Sequence, residues 1–226
     1  MIKETNQWEE LLKAGIELSS HKDLNSLLNR ITEVSIDIIG AQGATIYIKK
    51  ANHLDFMAAK NRILETKFPD LTTHFQRFSL SIDNQSIAGY VAKNKMLLNI
   101  IDAYDISKNK SYQFNQNLDK AYNFKTKSLL TLPMMDNKKS LIGILQLINR
   151  VEKEDEEKIL PFTGNDEFLA KYLSSIAAMA IKNAYFNDLL QHSYLETVER
   201  LAIASEFRDL ETSYHIKRMS EYSALM

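Results

Sequence analysis

The sequence contains no cysteine, three prolines and six glycines among its 226 residues. Without cysteine there are no disulfide bonds, no thiolate metal ligands and no cysteine nucleophile, and this composition fits a reducing compartment, so we expect a cytoplasmic protein. No proline follows Pro161 and no glycine follows Gly164. We therefore expect the chain from Asn165 onward to be helical.

Long apolar runs are also missing. The sequence has no run of about 18 apolar residues and carries Glu4, Glu9 and Glu10 near its start, so it predicts neither a membrane span nor a secretion signal. Lysine and arginine number 28 against 29 aspartates and glutamates, a net charge of -1. The net charge therefore gives no electrostatic attraction to nucleic acid or to an anionic membrane. An anionic ligand would have to be held by local groups.

Length and apolar spacing indicate one full domain and part of another, with the full domain of the α+β class. We expect a six-stranded antiparallel sheet flanked by helices, with ligands held between the sheet and its loop side. Gly40 and Gly43 are expected to end the second helix, and the charged run from Glu152 to Lys158 is expected to be a solvated loop. The remaining elements follow from residue spacing: helices to Ile16 and over Leu24–Ile38, strands at Ala44–Ile48, Leu54–Ala59, Phe78–Ile82, Ser128–Met134 and Leu141–Ile148, a short helix over Ser86–Lys93, and a lid or binding loop over Asn99–Lys125.

The final helix has a heptad pattern. Its two sets of apolar positions are Leu169, Ile176, Asn183 and Leu190, and Tyr172, Met179 and Phe186. One interpretation is the seam of a parallel homodimer, in which Asn183 fixes the register. The other is an amphipathic helix that covers the sheet of its own domain, and both hold if they apply to opposite ends of the helix.

Four segments together resemble the GAF domains of cyclic-nucleotide phosphodiesterases and adenylyl cyclases: Ser86–Ala92, Asn99–Tyr104, Phe124–Pro133 and Gly143–Asn149. Apolar spacing predicts an N-terminal helix over residues 1–22. The resemblance implies a GAF sensory domain over residues 23–188 with a long C-terminal signalling helix, and we expect residues 189–226 to be a linker helix and the truncated start of a second domain. It also implies a regulatory domain that binds cAMP or cGMP.

A five-residue signature of that family (Asn, Lys, Phe, Asp, Glu) is matched by Asn149, Arg150, Phe162, Asp166 and Glu167, with arginine in place of lysine. In the family the basic residue and the aspartate form a salt bridge. Arginine keeps the charge and binds a carboxylate in bidentate fashion, so the replacement is expected to preserve the bridge.

A cyclic nucleotide requires amides for its phosphate, polar groups for its sugar and an amide or acid for its base. We expect the phosphate at the start of a short helix, at Ile87 and Ala88, and the base at Gln146. Spacing on a helix that runs into the next strand would put three more contacts on one face: Asp119, Tyr122 and Thr126. Related domains often have threonine where Tyr122 stands. Taken singly, these residues are more simply explained by packing, surface charge or an outward strand position.

A second resemblance is carried by Leu195–Ala204 and Arg208–Met219, which look like the first helices of an HD-GYP domain, a metal-dependent hydrolase of cyclic di-GMP. The resemblance implies that Glu211 and His215 are early ligands of iron or manganese. The later His-Asp pair and the GYP motif do not occur, so we expect a segment of a longer phosphodiesterase that is not itself active.

Two functions remain open. The first is a cyclic-nucleotide sensor that controls an HD-GYP hydrolase through the long helix. The second is a ligand-free GAF module that dimerises and pairs two catalytic domains. Haem or bilin is disfavoured, because there is no cysteine to attach a bilin and His53, His74 and His192 show no clustering.

Overall fold

The structure is a computed structural model, and it describes residues 2–21, 23–68, 78–152, 155–206 and 213–224. The chain divides into two compact units, residues 1–184 and residues 185–226. The helices are α1 (Ile2–Ser20), α2 (Leu24–Ile39), α3 (Arg62–Lys67), α4 (Ile87–Asn94), α5 (Asn117–Tyr122), α6 (Gly164–Glu206) and α7 (Ser213–Ser223), with a 3-10 turn at Ala103–Asp105.

The strands form one antiparallel sheet in the first unit. They are β1 (Ala41–Lys50), β2 (His53–Asn61), β3 (Ser79–Ser81), β4 (Leu98–Ile100), β5 (Leu129–Met135), β6 (Leu141–Glu152) and β7 (Asp155–Leu160). Within the described residues, six strands run in the order β3-β2-β1-β6-β5-β4, and β7 pairs with the end of β6. The α+β class and the six-stranded antiparallel sheet are confirmed.

The sequence explains where α2 begins and ends. The Asp23 side chain accepts a hydrogen bond from the Ser26 amide at 2.6 Å, which caps the helix start. Gly40 ends the helix in a left-handed conformation with φ of 75°, and a Cβ there would lie 2.9 Å from the Val151 carbonyl oxygen. The expectation that Gly43 also ends the helix is wrong, because Gly43 lies within β1 and pairs with Asn61 of β2.

The two faces of the sheet pack differently. One face is covered by α1, α2 and the first half of α6, and its core contains Leu28, Ile31, Ile46, Leu132, Leu145, Leu147, Leu169 and Ile181. The other face is covered by α4 and by the connections around α5 and β4, and its core is smaller and more aromatic. This second face therefore has the space and the irregular backbone that a ligand site requires.

A β-bulge in β2 changes which side chains face each layer. Ile46 pairs with Ala58 and Tyr47 pairs with Phe56, so Met57 is the extra residue. Before the bulge Phe56 packs in the aromatic core of the second face, and after it Ala58 packs in the helical layer. The bulge therefore allows Phe56 and Ala58, two positions apart on the strand, to pack on opposite faces of the sheet.

Two segments expected to be irregular contain strands. The charged run after Glu152 forms β7, which returns along β6 through the pairs Arg150 with Leu160 and Glu152 with Asp155. The polar stretch from Asn99 begins with β4, which pairs with β5. Charged side chains hid β7, because a strand at the edge of a sheet can expose many of its side chains, and β4 was missed because it is only three residues long.

The first half of α6 belongs to the core. Leu169, Leu173 and Ile181 are fully buried, whereas Tyr172 and Met179 on the other side are 48% and 41% exposed. Leu169 therefore packs in the core of its own unit and is not available for a dimer seam, which corrects the expectation for this position. In the second unit the described α6 side chains from Tyr185 to Leu201 are all exposed.

A line of four alternating charges connects α1, α2 and β2. Arg30 donates to both carboxylate oxygens of Glu17, at 2.6 and 3.0 Å, and to Glu33 at 3.1 Å, while Lys60 donates to the other oxygen of Glu33 at 2.6 Å. The hydrogen bond from Lys60, aided by Arg30, holds the pKa of Glu33 below its ordinary value. All four side chains are about a third exposed, so solvent screens the interaction.

We expect Glu33→Gln to lower the free energy of unfolding by about 0.5–1 kcal/mol at pH 7. Because the folded pKa of Glu33 is depressed, its contribution is present above the unfolded pKa, about 4.3, and is lost as the pH falls through the folded value. Urea unfolding at pH 7, 5 and 4 should therefore show that the difference in the free energy of unfolding between Glu33→Gln and the wild type becomes smaller as the pH falls. Glu9→Gln, at an exposed residue of α1, is the control and should show no such difference. A difference that persists undiminished at pH 4 would contradict the assignment.

Candidate ligand-binding site

A cavity of about 470 Å³ lies on the second face of the sheet, within the first unit. Its walls come from β1, β2, β3, β6, α4 and α5 and from the segment after Gln113. The volume lies within the ~300–1,000 Å³ range of small-molecule pockets. All six residues predicted to contact a ligand line this cavity: Ile87, Ala88, Asp119, Tyr122, Thr126 and Gln146.

The start of α4 forms one wall. Ser86 caps the helix, since its hydroxyl oxygen accepts from the Gly89 amide at 3.0 Å and its carbonyl oxygen accepts from Tyr90 at 2.9 Å. The amides of Ile87 and Ala88 stand before the first bond of the helix ladder, at the positive end of the helix dipole. Their side chains are 4% and 3% exposed, so these amides lie at a largely buried position.

Aromatic rings form a second wall. Phe56 and Phe78 stack with ring centroids 5.0 Å apart, and Tyr47 packs edge-on against both. Burial raises the pKa of the Tyr47 hydroxyl, which therefore remains protonated. Flat apolar surfaces of this kind suit a planar ring system in a ligand.

Gln146 stands in the middle of the sheet, paired across the strands with Thr45 on one side and Thr131 on the other. Its Nε2 donates to the Thr131 hydroxyl at 3.1 Å, which orients the amide. The amide retains a second N–H and its carbonyl oxygen, so it can both donate to and accept from a ligand.

Asp119 and Thr126 are joined to each other. The two carboxylate oxygens of Asp119 accept from the Thr126 amide at 2.7 Å, from the Thr126 hydroxyl at 2.8 Å and from the Tyr104 hydroxyl at 2.8 Å. Asp119 is 6% exposed, so these bonds offset much of the cost of burying its charge. The bonds between Asp119 and Thr126 therefore hold this part of the cavity wall in place.

The expected helix through Asp119, Tyr122 and Thr126 is wrong in detail. Helix α5 ends at Tyr122, and Asn123 turns the chain in a left-handed conformation with φ of 46°. Thr126 reaches Asp119 because of this turn and not by helical spacing. Tyr122 remains at the cavity, where its ring contacts Phe68 edge-on at 6.1 Å.

Asn149 is the first residue of the five-residue signature and is fully buried. Its Nδ2 donates to Gln42 Oε1 at 2.9 Å and to the Lys125 carbonyl oxygen at 2.8 Å, and its Oδ1 accepts from the Lys127 amide at 2.6 Å. Asn149 adopts a left-handed conformation with φ of 55°, which asparagine tolerates better than most residues. Its amide thus holds β1 and the chain on both sides of Thr126.

Arg150 and Asp166 form the expected ion pair, with Arg150 Nε 2.7 Å from Asp166 Oδ2. The same oxygen accepts from the amide and the hydroxyl of Thr163, at 2.7 and 2.8 Å. These bonds attach the start of α6 to the end of β6. Since both charged side chains are largely buried, removing one partner would leave the other uncompensated.

Phe162 and Glu167, the remaining members of the signature, meet at Asn99. The Asn99 Nδ2 donates to the Phe162 carbonyl oxygen at 3.0 Å and to Glu167 Oε1 at 2.8 Å. Asn99 lies on β4, so this pair of bonds ties the opposite edge of the sheet to the first turn of α6.

The side chains of the two expected metal ligands lie outside the described part of the structure. Glu211 lies outside the described residues, and His215 lies in α7. In the part of the chain that the structure describes, no three potential ligand side chains of histidine, cysteine, aspartate or glutamate are grouped to hold a metal ion. None of the described helices has the length and apolarity needed to cross a membrane.

The fold and the signature residues agree with a known family. A family model described as the GAF domain matches residues 23–181. The chain belongs to the GAF domain family. This match spans the whole sheet, the described lining of the cavity and most of the part of α6 that packs in the core.

Curated relatives of this GAF domain include proteins named as cyclic-nucleotide phosphodiesterases. The chain is 29% identical over 181 residues to a dual 3',5'-cyclic-AMP and -GMP phosphodiesterase 11A from Takifugu rubripes, covering 72% of the chain and 19% of the relative. It is 25% identical over 198 residues to a cGMP-specific 3',5'-cyclic phosphodiesterase from Drosophila pseudoobscura pseudoobscura, covering 85% of the chain and 17% of the relative. The chain thus spans less than a fifth of their length.

Solved GAF domains share the fold. That of a phosphoenolpyruvate-protein phosphotransferase from Coxiella burnetii aligns over 82% of this chain and 98% of its own, with a TM-score of 0.61 and 17% identity. That of the Acinetobacter phosphoenolpyruvate-protein phosphotransferase aligns over 79% and 94%, with a TM-score of 0.58 and 18% identity. At these identities the likeness concerns the fold alone.

Sequence reasoning missed several residues of this GAF site. Tyr47 and Phe56 were detectable in principle, because they alternate with core residues along neighbouring strands. Tyr104 and Asn99 gave no local signal, since their partners lie 15 and 68 residues away.

We expect Asn149→Ala to destabilise the domain by about 2–4 kcal/mol, because the buried Gln42 side chain and the partly buried Lys125 carbonyl and Lys127 amide lose their partner. Asn149→Gly removes the same bonds but accepts the left-handed backbone, so it should be milder than alanine by about 1 kcal/mol. Urea unfolding of both variants measures the difference. Equal stability of Asn149→Ala and the wild type would show that the amide clamp is not needed.

Proposed function

We propose that this GAF domain is a regulatory module that binds a cyclic mononucleotide, cAMP or cGMP, in the 470 Å³ cavity. The observation that carries the proposal is that two kinds of group line one cavity. Amides at the start of α4 suit a phosphate, and the Gln146 amide among aromatic walls suits a base. The phosphodiesterase relatives, named for cyclic AMP and cyclic GMP, support the same ligand class.

The phosphate end favours a single negative charge. Among the described lining residues the one cation is Lys60, and its ammonium group donates to Glu33 at 2.6 Å. The lining also includes the carboxylates of Asp83 and Asp119. A cyclic phosphodiester carries one charge, which two amides and a helix dipole can hold, whereas a 5'-monophosphate carries nearly two. The cavity should therefore prefer cyclic nucleotides to 5'-nucleotides.

The base end offers stacking and an edge contact. The ring pair of Phe56 and Phe78 supplies flat apolar surface, and Gln146 supplies one donor and one acceptor. A purine has both features. The Thr131 hydroxyl can accept from the Gln146 amide or donate to it, so the amide can turn by 180° and keep this bond. The geometry therefore serves adenine and guanine alike.

Calorimetric titration with cAMP and cGMP tests the proposal, with 5'-AMP and 5'-GMP as charge controls. We expect heat and a raised melting temperature with at least one cyclic nucleotide and weaker binding of its 5'-monophosphate. No heat and no melting shift with either cyclic nucleotide at millimolar concentration would reject the ligand and favour a ligand-free module.

Gln146→Met should weaken cyclic-nucleotide binding up to about tenfold, because one hydrogen bond contributes about 0.5–1.5 kcal/mol. Thr131→Val is the matched control, since it breaks the same Gln146–Thr131 bond but leaves the glutamine amide in place. Calorimetry should give a smaller affinity loss for Thr131→Val, while urea unfolding should give similar stabilities. Equal affinities for Gln146→Met and the wild type would show that Gln146 does not contribute to ligand binding.

A dimerising scaffold is the second candidate function, and one observation favours it. An apolar groove lies between α1 and α6, next to Leu12 and Ile16, which are 69% and 76% exposed. Further along α6, Phe186 and Leu190 are 59% and 52% exposed. We propose that α6 forms a parallel homodimer through this outer side, which uses Tyr172, Met179 and Phe186 but not Leu169.

Leu190→Lys should weaken this dimer, because it places a charge in an apolar seam. Gln191→Lys adds the same charge at the neighbouring exposed position and should leave the dimer intact. Light scattering at micromolar concentration reads the mass of each protein. A wild-type monomer at that concentration would contradict the dimer, and equal weakening by both variants would contradict the seam.

We further propose that the parent protein continues into an HD-GYP-type hydrolase controlled by this domain. The support is the resemblance of Leu195–Ala204 and Arg208–Met219 to the start of that domain, and the phosphodiesterase activity in the names of the relatives. Purified chain should hydrolyse no cyclic di-GMP with manganese or iron. Metal-dependent hydrolysis of cyclic di-GMP by this chain would contradict the proposal that the catalytic site requires the rest of an HD-GYP domain.

A further inference from the structure

The turn between β5 and β6 holds a carboxylate in a fixed position. Oδ1 of Asp136 accepts from the amides of Lys138 and Ser140, at 2.9 and 2.8 Å, and the Asp136 amide donates to the Ser140 carbonyl oxygen at 3.0 Å. The side chain is 5% exposed. Because the turn itself orients this carboxylate, any shift of the turn also moves the second oxygen, Oδ2.

That second oxygen holds α6. It accepts from the Lys182 ammonium group at 2.7 Å, and this bond is the main reason that the pKa of Asp136 lies below its ordinary value. Ile181 and Ala184, beside Lys182, are 0% and 3% exposed, and the described α6 side chains from Tyr185 to Leu201 are all exposed. The ion pair therefore fastens α6 at the end of its buried part.

Helix α4 connects the cavity with this turn. Ile87 and Ala88 at its start line the cavity, and Val91 in its middle packs with Ile144 of β6. At its end, the Lys95 ammonium group donates to the Lys139 carbonyl oxygen in the turn at 3.3 Å. Eight helical residues span about 12 Å, so α4 is a short rigid rod between the two places.

We propose that α4 and the Asp136 turn form a mechanical connection through which occupancy of the cavity alters the attachment of α6 at Lys182. The connection rests on the proposed function, since it requires a ligand at the start of α4. A phosphate bound there pulls on the Ile87 and Ala88 amides, and the shift passes along α4 to the turn. The ion pair is the element with two states, joined and separated.

The other ion pair of α6 does not serve this role. Arg150 holds Asp166 at the first turn of α6, and Asp166 lies 16 residues before Lys182, about 24 Å along the helix. Its side chains are 20% and 5% exposed, with Thr163 completing the contact. Lys182 is 42% exposed on a flexible stem, so water can solvate its ammonium group when the pair separates, and the amides of Lys138 and Ser140 still donate to the Asp136 carboxylate. The attachment that can change is the one at Lys182.

The first arm of the test needs no ligand and uses amide hydrogen exchange of α6 residues 178–184. Lys182→Met should speed exchange there about tenfold, or ~1.4 kcal/mol. Lys171→Met, which removes an exposed lysine of the same helix, should not. Lys95→Met should speed exchange of the same segment about two- to threefold, with no further increase when combined with Lys182→Met. If Lys95→Met leaves the segment unchanged, the connection is overturned.

The second arm adds cAMP or cGMP. In the wild type the nucleotide should change exchange of residues 178–184, and in Lys182→Met that change should vanish while calorimetric affinity stays within about twofold. A nucleotide that binds both proteins and changes the segment equally in both would overturn the connection. Absence of heat with either nucleotide would reject the proposed ligand, and the ligand-free arm then decides the connection by itself.

Discussion

The buried amide of Asn149 is the contact on which the cavity depends. It joins β1, through Gln42, to the segment before β5, through Lys125 and Lys127, and it does so from the end of β6. Thr126 lies between the two clamped residues, so the position of Thr126 and of its partner Asp119 follows from this amide. Losing any of these bonds at a largely buried position costs free energy, so the chain is held in one arrangement at this point.

This dependence separates the residues that shape the cavity from those that are available to a ligand. Asp119 and Thr126 are engaged with each other and with Tyr104, and Asp166 is engaged with Arg150. The start of α4, the aromatic wall and Gln146 line the cavity and are the groups that a ligand would contact. A domain built in this way can change its ligand through few positions while its hydrogen-bonded frame stays the same.

The order of helices and strands was predictable, because apolar periodicity records which face of an element is buried. The ion pair of Arg150 with Asp166 followed from the signature. Strand β7 was not predicted, since a charged edge strand resembles a loop. The sequence placed Asp119 and Thr126 on the same wall through helical spacing, which is the wrong reason, and it did not predict the hydrogen bonds between them. A turn at a single left-handed residue, Asn123, brings them together, and no periodic pattern announces it.

The frame also has a consequence for how the protein is made. The bond from Asn149 to Gln42 joins residues 107 apart, and that from Asn99 to Glu167 joins residues 68 apart. Such distant contacts close large loops, which costs chain entropy. During synthesis the cavity cannot assume its shape until the chain through Asn149 has left the ribosome, so its ligand cannot template the earlier steps.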